Sequence, residues 1–238
     1  MKYVIGDIHG ENKKLNELLY ILDKNATEYI FLGDYVDKGE NSKEVIFCLT
    51  SLSKVKKCTF LMGDHEYAWI QYFAGEDRFL DFLVKYGGIK TLESYMGRKL
   101  TPDLFRSILL KEKEAKEILS ELLDFFETLK FYHIINEDFL GVHAGVEPEN
   151  KKICLDKHNQ EKMVFIRKEF INSKFLFKGR KIIFGHTAWE KPFVDKYKIG
   201  IDTGAVYENE GLGDLTAFDV INKRFINHKG EIKKCRNI

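Results

Sequence analysis

Five short apolar runs in this chain end in residues that can titrate or bind a metal. "YVIGDIHG" (Tyr3–Gly10), "IFLGDYVDKG" (Ile30–Gly39) and "LMGDHE" (Leu61–Glu66) each run into Gly-Asp, whereas "FLGVHAG" (Phe139–Gly145) and "IIFGHTA" (Ile182–Ala188) run into histidine. One Gly-Asp pair after such a run is an ordinary turn, because glycine frees the backbone and aspartate bonds its own chain. Repetition of the pattern points to shared chemistry. Asp7 and His9, two residues apart, would reach one point from the same side of an extended segment. Asp34 carries two oxygens and could bridge two cations, and Asp64, His143 and His186 would complete a second ligand set. Six oxygen and nitrogen ligands suit two divalent ions such as manganese, iron or zinc.

Strands must deliver these residues, and the first third of the chain alternates accordingly. Strands are expected at Lys2–Ile5, Tyr29–Leu32 and Cys58–Met62, with helices at Asn12–Leu22 and Ser42–Leu52 between them. Leu15, Leu18, Leu19 and Leu22 share one helix face, as do Val45, Ile46, Leu49 and Leu52. The strand runs lack polar alternation, which suits parallel strands buried on both faces, and ligands then belong at their carboxyl ends. From about Tyr67 to Lys130 the pattern is helical, with Ile118, Leu119, Leu122, Leu123, Phe126 and Leu129 forming a broad apolar stripe. Beyond it, β-like segments at Phe131–Ile135 and Phe139–Val142 precede a helix at Gln160–Ile171. Strands at Lys181–Phe184, Asp214–Val220 and Arg224–Asn227 follow, and this late part reads as a second sheet. The expected fold is α/β: a four-layer αββα sandwich of two mixed sheets flanked by helices, in one domain of residues 1–238 with a helical insertion at about 67–130.

Composition narrows the function classes. With 238 residues the chain can bury a substantial core. Its 38 Lys and Arg nearly cancel its 37 Asp and Glu, so no overall basic field argues for nucleic acid or an anionic membrane. The N-terminal apolar run is too short for a signal peptide, and no segment approaches the ~20 apolar residues of a membrane span. A soluble, cytoplasmic protein is expected. Cys48, Cys58, Cys154 and Cys235 have no C-x-x-C spacing and read as reduced thiols. His133, His158 and His228 sit in no motif and read as structural or surface residues.

Taken in order, "GDIHG", "GDYVDKG", "GDHE", "HAG" and "FGHT" span residues 6–187, and "IDTGAVY" with "LTAFD" extends the series to about residue 219. This ordered set resembles the phosphoprotein phosphatases of the calcineurin-like metallophosphoesterase superfamily, in their compact bacterial form. The resemblance implies Asp7, His9 and Asp34 on a first metal and Asp34, Asp64, His143 and His186 on a second, with manganese the first expectation and iron or zinc the alternatives. It implies His65 as general acid, held by Asp37, opposite a hydroxide shared by the two metals. A His-Asp pair suits that role because a leaving alkoxide needs a proton near neutral pH. Lys38, by its place in "DYVDKG", and Arg167, in "FIR", are the implied phosphate clamps.

Three positions depart from the usual family pattern: Asp64 stands in place of asparagine, Lys38 in place of arginine and Phe165 in place of tryptophan. Lysine keeps the charge but loses the planar two-point grip on phosphate. Asp64 adds a negative charge, so that two divalent ions, three carboxylates and one hydroxide sum to zero. The expected activity is hydrolysis of phosphate monoesters, in phosphoserine or phosphothreonine proteins or in small phosphate esters. The alternative is a dinucleoside polyphosphate hydrolase, a branch that tends to carry a terminal aspartate where this chain has Glu66. A nuclease-like relative would place a second histidine at Ala188, and a binding scaffold would have no need of His65 and Asp37.

Overall fold

The structure is a computed structural model and describes residues 1–22, 24, 26–148 and 157–235. Its first sheet is nucleated by β1 (Lys2–Ile5), β2 (Glu28–Phe31) and β3 (Lys57–Phe60), joined by α1 (Asn12–Leu22) and α2 (Ser42–Ser53). These strands pair in parallel, Val4 opposite Ile30 and Ile30 opposite Thr59. After β3 come six helices: α3 (Asp64–Phe73), α4 (Arg78–Lys85), α5 (Gly88–Met96), α6 (Pro102–Leu109), α7 (Glu112–Ile118) and α8 (Ser120–Phe126). The second half contributes β4 (Tyr132–Ile134), β5 (Phe139–Val142), α9 (Lys157–Phe165), α10 (Lys168–Asn172), β6 (Lys181–Phe184), β7 (Phe193–Val194), β8 (Lys198–Gly200), β9 (Thr216–Asp219), β10 (Arg224–Asn227) and β11 (Ile232–Lys234). Among the described residues the sheets run β11-β10-β9-β1-β2-β3 and β4-β5-β6-β8-β7, both of mixed direction.

The period-two geometry of the strands sorts their side chains into layers. Tyr3, Ile5, Tyr29 and Phe31 turn outward and pack on Leu15, Leu18, Val45 and Leu49 of α1 and α2. Val4, Ile30, Leu32 and Leu61 turn inward and meet Phe139, Ile183, Ile199 and Ile201. Leu140, Val142, Ile182 and Phe184 face outward from the other sheet against Met163 and Phe170 of α9 and α10. Helices, sheet, sheet and helices follow in that order, the expected sandwich. No helix among the described residues is long and apolar enough to cross a membrane. Cys48, Cys58 and Cys235 are free and half-buried, and Cys154 lies outside the described residues.

Several expectations need correction. The late strands do not all build the second sheet: β9 pairs antiparallel with β1, Phe218 opposite Val4, and carries β10 and β11 into the first sheet. That pairing satisfies the free edge of β1, and Phe218 then sits between the sheets beside Phe139, with ring centroids 5.6 Å apart. The helix expected over Gln160–Ile171 is two helices, broken at Ile166 and Arg167, where Arg167 takes φ −129° and ψ −94°. The stripe over 118–129 is likewise divided at Leu119, although Leu119, Leu122 and Phe126 remain fully buried on one face.

Candidate active site

The carboxyl ends of β1, β2, β3, β5 and β6 release Asp7, Asp34, Asp64, His143 and His186 within a few residues of each strand end. Asp64 is the first residue of α3, so the third motif is a strand-to-helix junction, with Gly63 capping the helix. Backbone conformation aims these groups. His9, Asp34, Asp37, Lys38 and His186 all have φ between 46° and 66°, a region that costs a non-glycine residue about 1–3 kcal/mol. The segment through His9 is therefore not extended, as the two-residue spacing from Asp7 suggested. The turns are held by mutual bonds: the N–H groups of Ile8 and His9 donate to Asp34 O at 2.9 and 2.8 Å, and Gly39 N–H donates to His9 O at 3.1 Å. A Cβ at Gly39 would lie 2.1 Å from His9 O, so glycine is required for this approach.

Two clusters of candidate ligands result. Asp34, Asp64, His143 and His186 offer ligand atoms within 4.8 Å of one another, and so do His9, Asp34 and His65. Asp34 belongs to both, with Oδ2 3.2 Å from His9 Nε2 and Oδ1 3.4 Å from His143 Nε2. His143 donates Nδ1–H to Leu32 O at 2.9 Å and His9 donates Nδ1–H to Val36 O at 3.0 Å, which turns both Nε2 atoms toward the centre. Asp64 Oδ1 lies 3.1 Å from His143 Nε2 and 3.0 Å from His186 Nδ1. Asp7 stands outside both clusters and accepts His186 N–H at 2.8 Å through Oδ2. Among the described residues its Oδ1 and His186 Nε2 have no hydrogen-bond partners though buried, each a cost of about 1–3 kcal/mol. Buried carboxylate oxygens and imidazole nitrogens with unused lone pairs fit divalent cations.

The electrostatics agree with a site built around cations. Burial and the neighbouring Asp64 charge oppose ionisation of Asp34, but His143, His65 and His9 outweigh them and lower its pKa. Burial likewise opposes protonation of His143, yet Asp34 and the Asp64 bond push it up to about 10. Asp7 moves the other way, raised by burial and by Asp202.

His65 Nδ1 lies 2.7 Å from Asp37 Oδ2. Asp37 is fully buried, and its Oδ1 accepts Trp69 Nε1–H at 3.0 Å and Thr91 Oγ1–H at 2.6 Å. With Nδ1 occupied, Nε2 is the nitrogen His65 can offer to a reacting group. Lys38 and Arg167 line the same cavity, about 480 Å³ in volume, together with His9, His65, His186 and Tyr207. Lys38 Nζ is 2.8 Å from His9 Nε2 and 5.3 Å from the centre of the Tyr207 ring. Arg167 donates Nη1–H to His186 O at 2.8 Å. A larger hollow of about 730 Å³ along α9 shares Phe165 with this cavity but none of the cluster residues.

The calcineurin-like phosphoesterase pattern matches residues 3–202. This chain belongs to that family. Similar to this calcineurin-like phosphoesterase is the asymmetrical bis(5'-nucleosyl)-tetraphosphatase PrpE of Oceanobacillus iheyensis, 29% identical over 248 residues that cover 94% of this chain and 90% of that protein. A catalytic subunit of the serine/threonine-protein phosphatase 2B of Saccharomyces cerevisiae is 26% identical over 239 residues, 99% of this chain but 31% of that protein. Among solved structures, the cold-active protein-tyrosine phosphatase of a psychrophilic Shewanella superposes with a TM-score of 0.63 at 17% identity, covering 99% of this chain and 80% of that one. That likeness is one of fold.

Sequence reasoning missed several residues of this phosphoesterase. Glu66 is fully buried; its Oε2 accepts the N–H groups of Asp34 (2.9 Å) and Gly63 (3.1 Å), and its Oε1 those of Tyr35 (2.8 Å) and Val36 (3.3 Å). It thereby fixes the turn that carries Asp34, although burial and the Asp34 charge push its pKa up to about 8. The reach back to Gly63 is half of a capping box, a pattern that three-residue spacing makes legible. Because glutamine would turn an NH2 group toward N–H donors, Glu66→Gln is expected to cost about 1–3 kcal/mol of stability in urea unfolding. Asp202 is buried and lines the cavity, and its Oδ1 accepts Gly204 N–H at 2.8 Å. Lys14 is buried and donates to Ala205 O at 2.6 Å and Gly213 O at 2.9 Å, tying down the loop that carries Tyr207.

Proposed function

We propose that this phosphoesterase is a metal-dependent phosphatase acting on phosphate monoesters, with phosphoserine and phosphothreonine side chains as the substrate class. The observation that carries this reading is the meeting, in one cavity, of two metal-ligand clusters, a His65–Asp37 pair and two cationic side chains, Lys38 and Arg167. Asp7, His9 and Asp34 would hold one divalent ion and Asp34, Asp64, His143 and His186 the other. Asp64 makes carboxylates half of the six ligands, and that harder oxygen donor favours manganese among the candidates. When bound, such ions activate water and act as Lewis acids toward a phosphoryl oxygen.

The side chains do the rest. Lys38 and Arg167 bind and orient the phosphate dianion, Lys38 as a point charge steadied by the Tyr207 ring. His65 Nε2 gives its proton to the leaving oxygen. Asp37 holds the imidazole at 2.7 Å and stays an acceptor because Trp69 and Thr91 both donate to it. Burial opposes the charged form of His65, but Asp34, Asp37 and Asp64 outweigh both burial and Lys38, so the ring keeps its proton more firmly than an ordinary histidine.

A manganese-reconstituted sample assayed on phosphoserine peptides, p-nitrophenyl phosphate, a phosphodiester and diadenosine tetraphosphate tests the reading. Hydrolysis of the monoesters above the other two is expected. Preference for the tetraphosphate would support a second reading, dinucleoside polyphosphate hydrolysis, which is favoured by the near full-length match to the bis(5'-nucleosyl)-tetraphosphatase. Asp64 offers a finer test. Its carboxylate adds negative charge between His143 and His186, which strengthens cation retention and repels a phosphate dianion. Asp64→Asn is therefore expected to raise kcat/KM a few-fold while weakening metal affinity in titration. A slower variant with both ions bound would overturn that expectation.

A further inference from the structure

Three aromatic rings border the cavity on the side of His65. Phe82 and Phe165 are partly buried, Tyr86 is 40% exposed, and all three line the cavity. The Phe82 ring lies 5.4 Å from that of His65, 4.6 Å from Tyr86 and 5.7 Å from Phe165. Phe82 and Tyr86 are four residues apart at the end of α4, so they share one helix face. Gly87, at φ 92°, follows them, and its carbonyl accepts Lys38 N–H at 3.3 Å. A Cβ there would come within 2.7 Å of Lys38 N. The aromatic wall is thus fixed in register with the phosphate-binding lysine. Phe82 and Phe165 pack on the core through Phe79 on one side and border the polar cavity on the other.

We infer that Phe82, Tyr86 and Phe165 form a shelf for an aromatic ring carried by the leaving group. The inference rests on the phosphatase reading above and on the place of His65 within it, and it extends the substrate class from serine and threonine esters, whose leaving oxygen carries no ring, to esters of aromatic alcohols. Water adds to phosphorus and the ester P–O bond breaks, its electron pair remaining on the leaving oxygen. That oxygen takes the proton of His65 Nε2, and a proton from the added water restores the histidine through solvent, so phosphate and a neutral alcohol or phenol result. At that moment the leaving oxygen stands within about 3 Å of His65. A ring attached through one or two bonds then falls within the roughly 4.5–7 Å at which aromatic rings stack or meet edge to face, on the side where Phe82 stands. The chemistry called for is a flat π system one or two bonds from the ester oxygen, as in a phenol or a benzylic alcohol.

Benzyl phosphate and cyclohexylmethyl phosphate separate this from simple hydrophobic burial, because their leaving alcohols match in size and attachment, and the small acidity advantage of benzyl alcohol is common to the unaltered protein and Tyr86→Leu and cancels in their comparison. Burial alone favours the cyclohexyl ring, which carries more apolar surface. The shelf predicts that benzyl phosphate has the higher kcat/KM, by about 3- to 10-fold, the preference of an aromatic pair. Tyr86→Leu, at an exposed position, should bring that ratio below about 2, and circular dichroism verifies that the variant is folded. A ratio near unity in the unaltered protein, or one that Tyr86→Leu does not move, overturns the shelf while leaving the phosphatase intact. Absence of manganese-dependent hydrolysis of both esters would instead sink the phosphatase reading. A phosphotyrosine peptide carries the same ring in a protein side chain: loss of kcat/KM in Tyr86→Leu is expected, and no loss overturns the shelf.

Discussion

Alanine in place of His65 is expected to slow hydrolysis of an alkyl phosphate by about 10²- to 10⁴-fold, the contribution of a positioned general acid. The loss should be far smaller with p-nitrophenyl phosphate, whose leaving group departs without a proton. This difference separates a proton donor from a metal support. His65 lies within the same small cluster as His9 and Asp34, and a residue that merely steadied a cation would affect both substrates alike. Equal losses would therefore remove His65 from the role of acid. Asp37→Asn should show the same bias in milder form, because Trp69 and Thr91 continue to hold the side chain in place.

Asp34→Asn is expected to lower kcat by at least about 10³-fold, the upper range for loss of one preorganised electrostatic group, and to reduce the number of tightly bound manganese ions from two to one or none. Asp34 alone belongs to both ligand clusters among the described residues, through Oδ2 toward His9 and Oδ1 toward His143. Asparagine is the informative replacement because it tolerates the left-handed backbone that Asp34 adopts at φ 52°, so a lost activity reports lost charge rather than a broken turn. Metal titration by calorimetry, with thermal unfolding as a control for folding, reads both effects. Two ions bound with near-normal affinity would refute a bridging role.

The sequence made the strand tips legible because each pairs a local signal, an apolar run into a small residue, with a residue type that chemistry restricts. Asp7, Asp34, Asp64, His143 and His186 all follow that pattern, and the structure gathers the last four within one cluster. Pairing was less legible. The runs at β9 (TAFD) and β10 (RFIN) mix polar with apolar residues, and nothing in their own composition says which sheet edge they will complete. β7 and β8 have two and three residues, too few for alternation to appear. The break at Arg167 was hidden because Ile166 and Phe170 continue a helical spacing across it. Lys14 and Tyr207 escaped notice for a different reason: a lysine on a helix and a tyrosine in a loop acquire their roles from distant neighbours. The aromatic wall is legible only once α4 and α9 have been brought together in space.

The inward layer of Leu32, Leu61, Ile183 and Ile201 stacks the two sheets through apolar contact, and a few polar bonds cross it near the strand tips, His143 to Leu32 O and His186 N–H to Asp7 among them. Asp34 and Asp64 hang from the first sheet while His143 and His186 hang from the second. A cation shared among them would be a clasp across that seam, adding a metal-held register to those bonds. Part of its binding energy then goes into docking, and by mass action the free-ion concentration sets how firmly the two halves close. With a cation held there, the proposed reactive centre and the joint between the two halves would be the same object.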